Sequence, residues 1–181
     1  MPKIMICGSR KRTSKMADYA KRCVQKALAN GDSIIVGDAC GIDEDVVTVC
    51  ERIGVPYTCY GISADPRNHA SNYVNTGLAD YTARDEWMVG EADKVMCIWN
   101  GDSNGTMNVF HYATKSKKQA WLATFIKWFD REEFRLKEAD TDSKTVFEFE
   151  SSLDPRSCLI WHGLYCRAAF DASVLSCRRC V

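Results

Sequence analysis

Three short segments of the chain carry the residue types that hold an anion. They are Gly8-Ser9-Arg10, then Gly37-Asp38-Ala39-Cys40-Gly41-Ile42-Asp43, then Asn100-Gly101-Asp102-Ser103-Asn104-Gly105-Thr106. Glycine lets a backbone turn sharply and come close to a ligand. Where such a turn opens a helix, unpaired N–H groups and the positive end of the helix dipole suit a phosphate. The candidate cradle is therefore Gly8, Ser9, Arg10, Gly37, Asp38, Ala39, Gly41, Asp43, Gly101, Ser103, Gly105 and Thr106. Arg10 offers a charge-assisted contact, and Ser9, Ser103 and Thr106 offer hydroxyl donors. Asp38 lies inside its turn, where it could hold ribose hydroxyls or act as a catalytic acid. Asp43 also reads as the N-cap of the helix that follows, with Glu44 in its first turn.

A second group of chemistry-bearing residues closes the chain. Cys158, Cys166, Cys177 and Cys180, with His162 among them, include the two-residue gap of Cys177-Arg178-Arg179-Cys180 that is common in structural zinc sites. A second close pair is lacking, and a loosely ordered tail with free thiols is the alternative. The other cysteines (Cys7, Cys23, Cys40, Cys50, Cys59 and Cys97) fall in apolar segments and read as small core or near-core residues.

These residues need elements to position them, and the hydrophobic pattern supplies strands alternating with helices. Lys3–Cys7, Ser33–Val36, Val55–Tyr60, Lys94–Trp99 and Gln119 to about Phe125 read as strands. Met16, Ala20, Cys23, Val24, Ala27 and Leu28 share one helical face, which Asn30-Gly31 ends. Val46, Val47, Val49, Cys50 and Ile53 mark a second helix, Tyr81–Gly90 a third, and Thr106 to about Ser116 a fourth. Gly61 to Asp80 is polar, contains Pro66 and reads as a long loop. The alternation predicts a three-layer Rossmann-like α/β domain with about five mostly parallel strands over residues 1–126. Residues 127–150 are densely charged and read as a linker or solvated helix, with a short strand at Val146–Phe149. Residues 151–181 form a Cys-rich C-terminal extension. Trp99 ends a buried strand and reads as core, although it could stack on a base.

Composition narrows the partners. Lysine plus arginine equals aspartate plus glutamate at 24 each in 181 residues, for zero formal charge. An extended nucleic-acid face needs a lysine and arginine surplus, so no extended nucleic acid is expected, whereas a small anion needs one local pocket. No apolar run reaches the ~20 residues of a membrane span. The first residues enter a strand with no signal-like segment, so no membrane partner and a cytoplasmic location are expected.

The turns gain meaning from their order. Ile6-Cys7-Gly8-Ser9-Arg10, Val36–Asp43, Arg84-Asp85-Glu86-Trp87-Met88, Ala92-Asp93 and Trp99–Thr106 together resemble the SLOG superfamily of Rossmann-like domains, in particular its YspA-like branch, over about residues 3–125. The resemblance implies binding of a nucleotide, nucleotide sugar or NAD-derived metabolite, by a sensor or an enzyme. It also implies homo-oligomer formation, since proteins of similar fold often self-associate. The related LOG enzymes hydrolyse the N-glycosidic bond of nucleoside monophosphates with an arginine ahead of a methionine and a glutamate after the last Gly-Thr. Arg84 with Met88 is similar to the first part, which makes Arg84 a ligand-binding and catalytic candidate. The second part is missing, because Gly105-Thr106 is followed by Met107, Asn108 and Val109. A sensor or binding module for a nucleotide-like metabolite is therefore the first expectation. A hydrolase or transferase using Arg84 and Asp38 is the second, and a zinc-organised interaction module the third. No cofactor beyond a structural zinc is implied.

Overall fold

The computed structural model describes residues 1–128 and 131–139. Its order is β1 (Lys3–Gly8), α1 (Ser14–Asn30), β2 (Ser33–Gly37), α2 (Ile42–Ile53), β3 (Tyr57–Gly61), β4 (Tyr73–Asn75), α3 (Tyr81–Glu91), β5 (Lys94–Trp99), α4 (Asn104–Lys115), β6 (Gln119–Trp128) and β7 (Arg131–Glu138). These strands form a seven-stranded sheet in the order β4-β3-β2-β1-β5-β6-β7. Every neighbouring pair is parallel except β6 with β7. The three-layer α/β architecture is the expected one.

Alternation along the strands separates two cores. Ile6, Ile34, Val36 and Cys59 pack with Met16, Val24, Val46 and Val47 beneath α1 and α2. Met5, Cys7, Ile35, Val95 and Cys97 pack with Met88, Val89, Val109 and Phe110 beneath α3 and α4. Strand order runs outward from β1 to β4, and α3 then carries the chain back to β5 on the other side of β1. The β1–β5 junction is thus the topological switch point, where the loops leaving the two strands diverge and leave a crevice.

Two strands go beyond the expected five. The three-residue β4 lies inside the segment read as a loop, paired with the end of β3. The other, β7, replaces part of the charged stretch read as linker or helix. Its residues alternate: Phe134 and Leu136 turn inward against the first core, while Arg135 and Lys137 are exposed. Phe134 meets the rings of Tyr19 at 5.2 Å and Phe125 at 4.9 Å. Charge density hides this period of two, and charged outer residues also suit an edge strand, which they protect from further pairing. One cysteine reading changes as well. Cys7, Cys50, Cys59 and Cys97 are buried and Cys23 is half-buried, but Cys40 is exposed because it sits in a turn. Val146–Phe149 and the C-terminal cysteines lie outside the described residues.

Candidate functional site

All three glycine-rich turns leave the carboxyl ends of strands, at one rim of the sheet. The first and third turns are joined at the switch point by two side chains. The buried Ser9 hydroxyl donates to Asn100 Oδ1 at 3.0 Å and accepts from the Asn100 amide at 3.1 Å. Asn100 Oδ1 also accepts from the Asp102 and Ser103 amides, each at 3.0 Å, and Asn100 Nδ2 donates to the Lys11 carbonyl at 3.1 Å. Asn100 organises the third turn in the manner of an Asx turn. The sequence marks it only as an asparagine before a glycine at a strand end.

Several expected ligand groups are used internally. Ser103 is the N-cap of α4, its Oγ accepting from the Thr106 amide at 3.5 Å and the Thr106 hydroxyl at 3.0 Å. Trp99 donates its indole N–H to the Ser103 carbonyl at 3.0 Å, which ties it to the turn. Gly8 is required by packing, because a Cβ there would lie 2.6 Å from the Ile98 carbonyl oxygen and 2.7 Å from Ile42. Gly41, at φ +92°, presses its Cα against the backbone of Ser9 and Arg10, locking the second turn to the first. Gly101 (φ +89°) and Gly105 are exposed, as are the side chains of Arg10 and Lys11.

The second turn is the centre of a buried ionic cluster. Asp38 has no solvent exposure, and its Oδ1 accepts from Arg67 Nη2 at 2.6 Å and Arg84 Nη1 at 2.9 Å. Arg84, 5% exposed in its side chain, also donates from Nη1 to the Tyr60 carbonyl at 2.8 Å and pairs through Nη2 with Asp85 at 2.8 Å. Arg67 is one-third exposed and stacks on the Tyr81 ring at 3.8 Å. Asp43 is not the N-cap of α2, a place taken by Gly41. Its carboxylate instead points back into the rim, accepting from the Gly8 amide at 3.3 Å and from the Ala39 amide. Glycine at 37 makes room for this, since a Cβ there would lie 2.6 Å from Asp43 Oδ2 and 3.0 Å from Arg84 Nη1.

The cluster holds three carboxyls against two guanidiniums, and the acids divide accordingly. Burial would raise Asp38, but the Arg67 hydrogen bond and the charges of Arg67 and Arg84 outweigh it and hold the carboxyl below its usual value. Burial pushes Asp43 up to about 7, with the Arg84 charge opposing and the Asp85 charge adding. Asp85 is also raised by burial against the pull of Arg84. The sequence reading missed Arg67 and Asp85 as partners; the weak signal for Arg67 was a lone arginine in a loop too long to be a simple connection.

A hollow of about 660 Å³ lies mostly toward the other ends of the strands, with Lys3, Ser33, Val55 and Pro56 in its wall. Its carboxylate, Glu51, is already satisfied by Tyr57 Oη at 2.6 Å and Ser71 Oγ at 2.7 Å. At the rim, a hollow of about 40 Å³ lies between α3 and α4, with Asp85, Gly105 and Tyr112 in its wall. That volume is too small for a nucleotide, so a ligand there must displace a side chain. Among the described residues no group of three or more histidine, cysteine or acidic side chains is placed to hold a metal, and no helix is long and apolar enough to cross a membrane.

No protein-family profile and no curated protein sequence matches the chain. Solved structures do share its fold. TM1055 superposes with a TM-score of 0.55 at 23% identity, over 66% of this chain and 72% of that one. The molybdenum cofactor binding protein of the phototrophic bacterium Rippkaea orientalis gives 0.60 at 20% identity, over 68% and 76%. DNA processing protein A from Helicobacter pylori, a structure described for its single-stranded DNA binding mode, gives 0.53 at 15% identity, over 73% and 68%. At such identities the likeness is one of fold. The chain folds as a Rossmann-like α/β domain whose buried charged cluster lies at the carboxyl rim of its sheet.

Proposed function

We propose that the chain is a binding or sensing module for a nucleotide or nucleotide-derived small molecule, with the ligand's anionic group over the switch point between β1 and β5. The observation that carries this reading is the distribution of charge at the helix starts. The first turn of α2 holds Asp43, Glu44 and Asp45, so its N-terminus already faces negative charge. The first turns of α1 and α4 hold no acid. Those two helix starts flank the switch point, and Arg10 and Lys11 stand exposed beside them with no ion pair among the described residues. The anion cradle therefore contracts from three turns to the first and third, and the second turn contributes acids.

This fits the SLOG superfamily and its YspA-like branch, which the motifs resemble. The neighbour from Rippkaea orientalis is described as a cofactor-binding protein, in keeping with a small-molecule role. The Helicobacter pylori neighbour binds single-stranded DNA by its description, but the zero net charge here favours a small ligand. Hydrolysis of an N-glycosidic bond is the weaker reading. Asp38, the acid assigned to that role, is ionised and paired at neutral pH and has no proton to donate.

Calorimetric titration with nucleoside monophosphates and NAD, with free base assayed in parallel, tests the proposal. Binding without base release is expected. Replacing Arg10 and Lys11 together by alanine should weaken it by about tenfold or more while the fold persists. Base release abolished by Arg84→Ala would move the chain to the enzyme reading. Preferential capture of a single-stranded oligonucleotide, or no nucleotide binding, would overturn the proposal.

A further inference from the structure

We propose that Cys7 and Cys97 are a redox pair, and that the disulfide they form resets the two turns on either side of the switch point. The consequence for ligand binding rests on the nucleotide reading; the disulfide and its effect on the turns do not.

The two cysteines face each other across β1 and β5. They are register partners on adjacent parallel strands, so both side chains leave the same face of the sheet. The Cys7 thiol donates to Cys97 Sγ, with the sulfurs 3.6 Å apart. Adjacent strands lie about 4.8 Å apart, inside the Cα separation of about 4.4–6.8 Å that a disulfide spans. Bond formation needs side-chain rotation and closure of the sulfurs from 3.6 Å to about 2.05 Å, without parting the strands. Position gives the pair its reach. Cys7 precedes Gly8, which opens the first turn, and Cys97 is followed by Ile98, Trp99 and then Asn100, which organises the third. The contacts that join those turns are already close: Ser9 with Asn100 at 3.0 and 3.1 Å, and the Ser9 amide with the Ile98 carbonyl at 3.0 Å. Drawing the two side chains together directly beneath them shifts these contacts, and with them the crevice between β1 and β5.

Cys7 is 7% exposed and Cys97 is fully buried, so the oxidant must be small and uncharged, as a hydroperoxide is. Cys7, the more accessible thiol, loses its proton and attacks a peroxide oxygen. The O–O bond breaks, the alcohol or water that leaves takes that proton, and Cys7 becomes a sulfenic acid. The Cys97 sulfur then attacks the Cys7 sulfur, the S–O bond breaks, and water departs with the Cys97 proton. The two thiols give up two electrons and the peroxide gains them. A dithiol reductant reverses the change by thiol–disulfide exchange. The hydrogen bond to Cys97 and burial hold the Cys7 thiol protonated well above its ordinary range, so the pair reacts slowly beside an exposed thiol such as Cys40. It therefore answers sustained exposure to oxidant rather than a brief pulse.

The test treats the full chain with hydrogen peroxide, blocks the remaining thiols and maps disulfides by peptide mass spectrometry. A Cys7–Cys97 link is expected, formed after Cys40 has reacted and removed by dithiothreitol. Cys40 oxidised to completion with Cys7 and Cys97 still thiols overturns the proposal, as does Cys7 linked chiefly to another cysteine. Amide hydrogen exchange then compares the reduced and oxidised chains. Exchange at residues 8–13 and 99–105 should change by about threefold or more, and Cys97→Ala given the same treatment should show no such change. Identical exchange in the two parent states, or the same change in Cys97→Ala, overturns the switch. If that variant does not fold, dithiothreitol is the control, since it restores a disulfide and leaves sulfinic acid and methionine sulfoxide in place. Affinity for nucleoside monophosphates should fall by about threefold or more on oxidation and return on reduction; equal affinity overturns the regulatory role. No nucleotide binding in either state removes the proposed function and leaves the disulfide map and the exchange rates to decide this inference.

Discussion

At the scale of single residues, the site is governed by charge in a confined space. Arg84 neutralises carboxylates on two sides, and its loss leaves Asp38 facing only Arg67, which is one-third exposed. Breaking a buried pair in this way costs about 3–5 kcal/mol, so Arg84→Met should show that loss in urea melts; a loss under about 1 kcal/mol would mean the cluster is well solvated. Asp43 supplies a pH signature. Its folded-state pKa, about 7, lies above the ordinary 3.8, so folding takes up a proton between those two values. Stability therefore falls as pH rises through that window and is level above it. Asp38 runs the other way: its lowered value contributes stability above the ordinary carboxylate range that is lost on acidification. Asp43→Asn should remove most of the descent between 3.8 and about 7, and equal slopes for variant and parent would place the proton elsewhere.

At the scale of elements, the rim depends on turns that brace one another. Gly41 adopts a φ of +92° with its Cα against the Arg10 backbone, a place and a conformation that a side chain cannot share. Gly41→Ala is expected to cost about 1–3 kcal/mol and to weaken ligand binding, since it pushes the first turn away from the second. A variant as stable as the parent would show that the two turns are not coupled. The far edge makes a separate test. Phe134 is half-buried against Tyr19 and Phe125, so Phe134→Ala should cost about 2–3 kcal/mol, at or below the low end for aromatic truncation in a core. Unchanged stability would show that β7 contributes little to the sheet.

At the scale of the whole molecule, ligand and stability are linked. A ligand that binds only the folded chain, present at about 100 times its dissociation constant, adds ~2.7 kcal/mol. The midpoint of thermal unfolding should rise accordingly with a nucleotide, and rise by no more than about half as much in the Arg10, Lys11 double alanine variant at the same concentration, where tenfold weaker binding leaves ~1.4 kcal/mol. The zinc reading of Cys158, Cys166, Cys177 and Cys180 is also a whole-chain matter. As a proposal from the sequence, it expects about one zinc per chain by elemental analysis, lost when residues 151–181 are removed. Metal-free full-length protein that folds normally would end it.

What the sequence alone determined is what local pattern can encode. Alternating and helical periods in the apolar residues specify β1, α1, β2, α2, β3, α3, β5, α4 and β6, and glycines mark the turns between them. The short β4 and the charged β7 were illegible, because a three-residue strand has no period and dense charge masks the inward Phe134 and Leu136. Tertiary structure alone decided what each turn does. Asp38 meets Arg84 across 46 positions and Arg67 across 29, and Ser9 meets Asn100 across 91. No short window of sequence holds such pairs. Asp43 looked like a helix cap because that is the local use of an acid at a helix start. Only the return of β1 beside it, with the Gly8 amide in reach, turned its carboxyl inward.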